Sequence, residues 1–405
     1  MTEPSFSGRH VFQEAARCAG SLPTPSEEEC AHGDRLVAVI REEISACGGS
    51  IDFARFMELA LYAPELGYYR RSTRKFGEAG DFITAPELSP VFAHCLARQC
   101  QQVIAELGGG DIIEVGAGSG VLCVDLLRAL EHLDCLPDHY YILEVSAALK
   151  HRQRELINRK LPHLATCVEW LAGLSHGPLQ GVVLGNEVLD SMPVHRFRVS
   201  DDGIRELRVT WRDDRFAWID VSASQVIDDR VQPLALPRGY NSEIGLHAEA
   251  WVRSVGRTLT RGVLLLIDYG FPRTEFYHPQ RHEGTLMCHY RHRSHDNPLI
   301  LVGLQDITAH VDFSAIAQAG REAGLSLFGY TSQAAFLLSS GLDDTLAAHD
   351  PDGGRAHLEL MHQVDRLTSP AQMGELHKVI ALGRSVESRL LGFSMQDRRS
   401  RLALA

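Results

Sequence analysis

The stretch Asp111-Ile112-Ile113-Glu114-Val115-Gly116-Ala117-Gly118-Ser119-Gly120 constrains this chain more than any other. An apolar run ends in a carboxylate, three glycines follow at alternate positions, and Val121, Leu122, Val124, Leu126, Leu127 and Leu130 then recur at helical spacing. That order predicts a buried strand, a tight turn and a helix. Glycine permits the positive φ of a sharp turn and lets backbone N–H groups approach a ligand. The helix N-terminus beyond it offers unpaired donors and partial positive charge to an anionic group. A nucleotide-like ligand is the first expectation.

The dinucleotide fingerprint wants a small residue three positions after its second glycine, to seat the helix against the strand. Val121 stands at that place and is bulky. The pattern Glu-x-Gly-x-Gly-x-Gly instead resembles the first motif of class I S-adenosylmethionine methyltransferases. Composition narrows the partners. A formal net charge of −12 argues against a nucleic-acid backbone and leaves cationic partners such as Arg- or Lys-bearing segments open. No apolar run approaches the roughly 18 residues that span a bilayer. Nine scattered cysteines without a Cys-x-x-Cys pair suit a reducing compartment. Residues 1–30 read as a mobile arm with neither a secretory signal nor an Arg-rich transit peptide, so the expectation is cytoplasmic.

Along the chain, 35–47 shows helical spacing and stops at Gly48-Gly49, and Ser50-Ile51-Asp52 predicts the restart of a helix. The segment 67–90 carries few helix signals, which favours a functional loop. Its Gly77, Gly80 and Asp81 lie beside Phe76 and Phe82, and could fold over a ligand or pack as a surface loop. A helix follows from Ser89 or Pro90 to about 107. Beyond the glycine turn, apolar strands at 140–145, 166–171, 181–187 and 262–270 alternate with helices, which argues for a parallel sheet covered on both faces. Between the last two, 197–221 alternates with polar turns and predicts an inserted antiparallel meander. Further strands are expected at 325–330 and 378–383, separated by a mainly helical 333–375.

Three constellations carry chemistry. Glu144 ends the second strand, where a carboxylate accepts both ribose hydroxyls of an adenosine, or simply faces solvent. After the fourth strand, Asn186 offers an amide, while Glu187 and Asp190 offer carboxylates that share a face if the segment is helical. They suit a cationic acceptor such as a guanidinium, or they complement the dipole of a helix. The run 284–295, with Cys288, His289, His292 and His295, holds metal-ligand types at a spacing that matches no compact zinc finger; no metal is expected. Asp306 could place a polar group at a pocket rim, and Asp312 could cap a helix from Phe313.

Several of these segments together carry a family resemblance. Phe56-Met57, Tyr62-Ala63-Pro64-Glu65-Leu66-Gly67-Tyr68-Tyr69, 80–90, 114–120, 186–197, Asp268-Tyr269-Gly270-Phe271, 284–292 and 305–313 are similar to the MidA-type S-adenosylmethionine-dependent methyltransferases, over about 35–385. That family includes the mitochondrial complex I assembly factor that methylates arginine. The resemblance implies an α/β, class I methyltransferase-like, doubly wound seven-stranded sheet with a helical N-terminal cap and an antiparallel β insertion. The expected organisation is an arm (1–30), a cap with a cofactor-covering loop (31–107) and a core (108–385). The core carries an insertion at about 197–245 and a helical segment at about 333–375, and a tail (386–405) follows. S-adenosylmethionine is the expected cofactor, held by Asp81, Phe82, Thr84, Glu114, Gly116, Gly118, Gly120, Glu144 and Asn186. Glu187 and Asp190 are the expected catalytic residues and a protein arginine the expected acceptor. Methylation of a small molecule, or non-catalytic cofactor binding in an assembly factor, are the alternatives. Neither nucleic acid nor membrane is expected as a partner, and oligomeric state is left open.

Overall fold

The structure, a computed structural model, describes residues 22–71, 83–174, 178–347 and 354–402. The expected arm to residue 21, and the cofactor-covering positions Asp81 and Phe82, lie outside the described residues. Seven strands build the central sheet: β1 (Asp111–Val115), β2 (Tyr140–Leu143), β3 (Val168–Leu171), β4 (Leu179–Asn186), β5 (Leu259–Phe271), β6 (Ser326–Ser332) and β7 (His377–Arg384). Their order across the sheet is β3-β2-β1-β4-β5-β7-β6. Strands β1 to β5 pair in parallel, whereas β7 runs antiparallel to both β5 and β6. A short eighth strand, Val311–Asp312, pairs with the end of β5.

The sheet is apolar on both faces, as near-continuous hydrophobic strands require. Ile112, Leu184, Leu265, Ile267, Val379 and Ala381 meet the helices Pro90–Leu107 and Val121–His132 on one face. Ile113, Val183, Leu264, Leu266, Ile380 and Leu382 meet Leu246–Thr258 and Phe313–Glu322 on the other. The period-2 alternation within each strand thus serves two cores at once. Helix ends follow local chemistry. Ser89 caps Pro90–Leu107, which stops at Gly108 with φ of 74°. Asp312 accepts from the backbone N–H of Ser314 and Ala315 and caps Phe313–Glu322, as the sequence predicts.

A second apolar cluster joins parts far apart in sequence. The helices Glu27–Ala46 and Phe53–Tyr62 contribute Leu36, Ile40, Phe53, Phe56 and Met57. They pack with Val209 and Phe216 of the antiparallel strands Gly203–Arg212 and Arg215–Ser222, and with Cys288, Tyr290 and Ile307. The expected restart of a helix at Ser50 is corrected: Ser50–Asp52 is a strand paired with Arg208–Thr210, and the helix begins only at Phe53, capped by Asp52. Local periodicity does not show a partner so distant along the chain. The whole is the doubly wound, seven-stranded class I methyltransferase-like fold with an N-terminal helical cap and an antiparallel insertion. Strand order reverses between β1 and β4, so their carboxyl ends frame a crevice.

Candidate active site

The turn after β1 opens that crevice. Gly116, Gly118 and Gly120 have φ of 65°, 52° and 87°, a region that a side chain would strain. Gly116 and Gly118 line a cavity of about 930 Å³, whereas Gly120 does not. A Cβ on Gly120 would stand 3.2 Å from Gln153 Cγ, so close helix packing explains that glycine. Gln153, fully buried, donates to Gly118 O at 2.9 Å and to Glu144 Oε2 at 3.2 Å, and accepts from Trp170 Nε1. It braces the loops after β1 and β2 against each other. Nothing in the local sequence marks it.

Glu144 lines the cavity but is not the exposed strand-end carboxylate that the sequence left open. It is only 6 % exposed, its Oε1 accepts from Ser146 N at 2.8 Å, and burial raises its pKa. Each oxygen keeps a further lone-pair direction for a hydroxyl donor. Glu114 sits beneath the glycine turn, accepts from the Tyr140 hydroxyl at 2.7 Å, and is pushed up to about 7 by burial.

The loop after β4 is a turn, not the helix on which the face-sharing of Glu187 and Asp190 depended. The helix-dipole reading therefore has no helix to act on. Glu187 adopts φ of 51°, strained for a non-glycine residue, and its N–H donates to Ile267 O. Asp268, at the end of β5, holds the turn: its Oδ2 accepts from the N–H groups of Val188, Leu189 and Asp190 at 3.1, 2.8 and 3.3 Å. The next residue, Tyr269, donates its hydroxyl to Asp190 Oδ2. Burial pushes Asp190 up to about 7; the Tyr269 hydrogen bond pulls down and the Glu187 charge pushes up. Asp190 Oδ1 and Asn186 Oδ1 are buried and have no partner among the described residues. Asn186, Glu187 and Asp190 all line the same cavity as Gly116, Gly118 and Glu144.

The cap closes the other side. Tyr62 and Tyr69 stack with centroids 5.5 Å apart. Tyr62 donates to Ser191 O and Oγ, and Tyr69 to both oxygens of buried Asp306. Arg70 donates to Val145 O, beside Glu144. Thr84 and Glu114 complete the expected set on the lining, and Glu87, reached by the Ser119 hydroxyl, joins them. Sequence reasoning missed Gln153, Tyr62, Tyr69, Tyr269 and His377 as site residues, although the two-residue run Asp268-Tyr269 lay within a recognised motif. Among the described residues, no group of three or more His, Cys, Asp or Glu is placed to hold a metal.

The donor set suits an adenosyl sulfonium: positive-φ glycines leave room for a close ligand, a buried carboxylate keeps free lone pairs, and buried carbonyl and carboxylate oxygens without partners among the described residues would suit a cation. Residues 95–331 match the family described as "Putative S-adenosyl-L-methionine-dependent methyltransferase". The chain belongs to that family. It is an S-adenosylmethionine-dependent methyltransferase. A crystal structure of a Burkholderia thailandensis protein bound to S-adenosyl-homocysteine is similar to it at 45 % identity, with a TM-score of 0.91, over 94 % of this chain and 100 % of that one. The protein arginine methyltransferase NDUFAF7, mitochondrial, of Danio rerio is 28 % identical over 81 % of this chain and 82 % of its own. The Mus musculus protein of that name is 29 % identical over 82 % and 81 %.

These relatives correct the expected location. The names of the Danio rerio and Mus musculus proteins place those two in mitochondria, which overturns the cytoplasmic reading. That reading rested on the composition of residues 1–30 and on scattered cysteines, which report a reducing environment and do not distinguish one reducing compartment from another. No helix among the described residues is long and apolar enough to cross a membrane.

Proposed function

We propose that this methyltransferase acts on an arginine side chain of a protein, with Glu187 and Asp190 as its catalytic carboxylates. The observation that carries the reading is the pairing of these two carboxylates, one with an unpartnered buried oxygen, on the wall of the cavity that also holds the glycine turn. The names of the Danio rerio and Mus musculus relatives support it.

Gly116 and Gly118 give the cofactor backbone room, Gly120 keeps the helix close, Glu144 takes the ribose hydroxyls, and Thr84, Glu114 and Asn186 complete its surround. Asp81 and Phe82 belong to the same proposal. S-adenosylmethionine, when bound, supplies a methyl group on a positively charged sulfur. The chain's own residues must then orient the acceptor nitrogen and take its proton. A guanidinium stays protonated near neutral pH, so a lone pair becomes available only as a carboxylate accepts the proton. Asp190 is suited to orienting the acceptor, because an arriving guanidinium holds a carboxyl poised near pH 7 ionised and its buried Oδ1 is left to meet the cation. Glu187 provides a second, differently placed acceptor that helps fix the guanidinium plane and takes the proton as the nitrogen reacts. Positioning of this kind supplies about 7–11 kcal/mol of barrier reduction.

The test is incubation of the full chain with radiolabelled S-adenosylmethionine and lysate, followed by hydrolysis of labelled protein to amino acids. Label in methylarginine is expected. Label confined to small molecules, or to other amino acids, overturns the arginine reading.

A further inference from the structure

An antiparallel strand reverses which of its residues reaches the site. The parallel strands β1, β2, β4 and β5 present their last residues to the crevice, but β7 runs against them, so its first residue arrives there. That residue is His377, paired in register with Tyr269. Its ring meets the Tyr269 ring edge-on at 5.5 Å and lines the cavity, yet it is only 6 % exposed. Neither ring nitrogen has a hydrogen-bond partner among the described residues, although buried polar groups are almost always satisfied. Nε2 stands 3.7 Å from Glu187 Oε1, just beyond hydrogen-bond range.

An imidazole held next to a pocket carboxylate, with both nitrogens unengaged, has a chemical use that packing does not explain. We propose that His377 is a proton-relay residue that takes the acceptor's proton onward from Glu187; this rests on the assignment of Glu187 to the acceptor. In the balanced step, the acceptor nitrogen's lone pair forms the bond to the methyl carbon and the carbon–sulfur pair stays on sulfur. The displaced N–H proton passes to the Glu187 carboxylate, then to His377 Nε2, and is lost to water on product release. The relay returns Glu187 to its ionised form within the turnover. Around the imidazole stand Glu187 and Asp190 from the β4 loop, Tyr269 from β5 and His310 from the segment before Phe313–Glu322. Lys378, its neighbour on β7, turns its ammonium to the carbonyls of Glu375 and Leu376.

The experiment has two arms on the full chain. In the first, histidine ring resonances are compared by NMR in the parent and in Glu187→Gln, without cofactor, with His377 assigned by its loss in His377→Gln. The His377 ring resonances should move in Glu187→Gln while those of distant histidines stay in place, because a neighbouring negative charge is removed. Unmoved His377 resonances overturn the coupling, whatever the acceptor proves to be. In the second, transfer is measured across pH. His377→Gln should lower kcat at least 10-fold with cofactor affinity unchanged and should alter the acidic limb of the profile; His377→Phe, which keeps the bulk, should be no better. A parental rate and profile in His377→Gln, beside an impaired Glu187→Gln, overturns the relay alone. Parental rates in both variants overturn the Glu187 assignment as well.

Discussion

The Tyr269 hydroxyl donates to Asp190 Oδ2, so a carboxylate carried by the loop after β4 is held by a residue near the end of β5. The same two-residue run uses Asp268 to hold the loop's backbone and Tyr269 to hold its side chain. One strand end therefore sets the shape of the turn and, against the larger effect of burial, favours the ionised form of its carboxylate.

Tyr269→Phe should expose that second function. The hydrogen bond favours the ionised form of Asp190, so its removal raises a pKa already pushed up to about 7. The acidic limb of kcat should move upward by about 1 unit, from the loss of one hydrogen bond to a charged group. A pH–rate profile unchanged in the variant would detach Asp190 from the rate.

Glu187→Gln keeps the shape of the side chain and removes its charge. Cofactor affinity by calorimetry should stay within about 3-fold, while single-turnover transfer should drop by about 10²-fold or more. Normal transfer would return Glu187 to a purely structural place in the turn.

Glu144→Ala should weaken S-adenosylmethionine binding by roughly 2–4 kcal/mol, because two charge-assisted hydrogen bonds to hydroxyls disappear. A carboxylate that simply faced solvent would leave the stability of the ligand-free protein unchanged. Buried contacts to Ser146 N and Gln153 change that expectation. Thermal unfolding without ligand should now report a loss of about 1–2 kcal/mol, from the unpaired donors left behind.

Glu114→Gln should stabilise the ligand-free protein at alkaline pH. Burial pushes the Glu114 carboxyl up to about 7, so the folded state holds its proton more tightly than the unfolded state. Its contribution is complete below the unfolded pKa, around 4.3, and is lost as pH rises through about 7. Gln keeps an acceptor for the Tyr140 hydroxyl and has nothing to ionise. Urea unfolding should show parity near pH 4 and an advantage on the order of 1–3 kcal/mol at pH 8. An advantage of the same size at both values would assign the effect to packing.

How much of this was legible in the sequence follows from the range of each signal. Strand β1, the glycine turn and helix Val121–His132 are neighbours along the chain, and their apolar periods and turn chemistry are local, so sequence determined them. The same holds for Glu144 and for Asn186 to Asp190, each fixed at a strand end by counting along one element. Strand order, the partner of Ser50–Asp52 and the direction of β7 depend on pairings between distant segments, and only the folded chain decides them. So Gly120 faces Gln153 instead of the cavity, Glu144 is buried instead of solvated, and Tyr62, Asp268, Tyr269 and His377 converge on one turn from three separate parts of the chain. Local chemistry is written in short periods that a sequence displays directly. Proximity across a sheet is set by burial of the whole chain, and no single stretch of residues contains it.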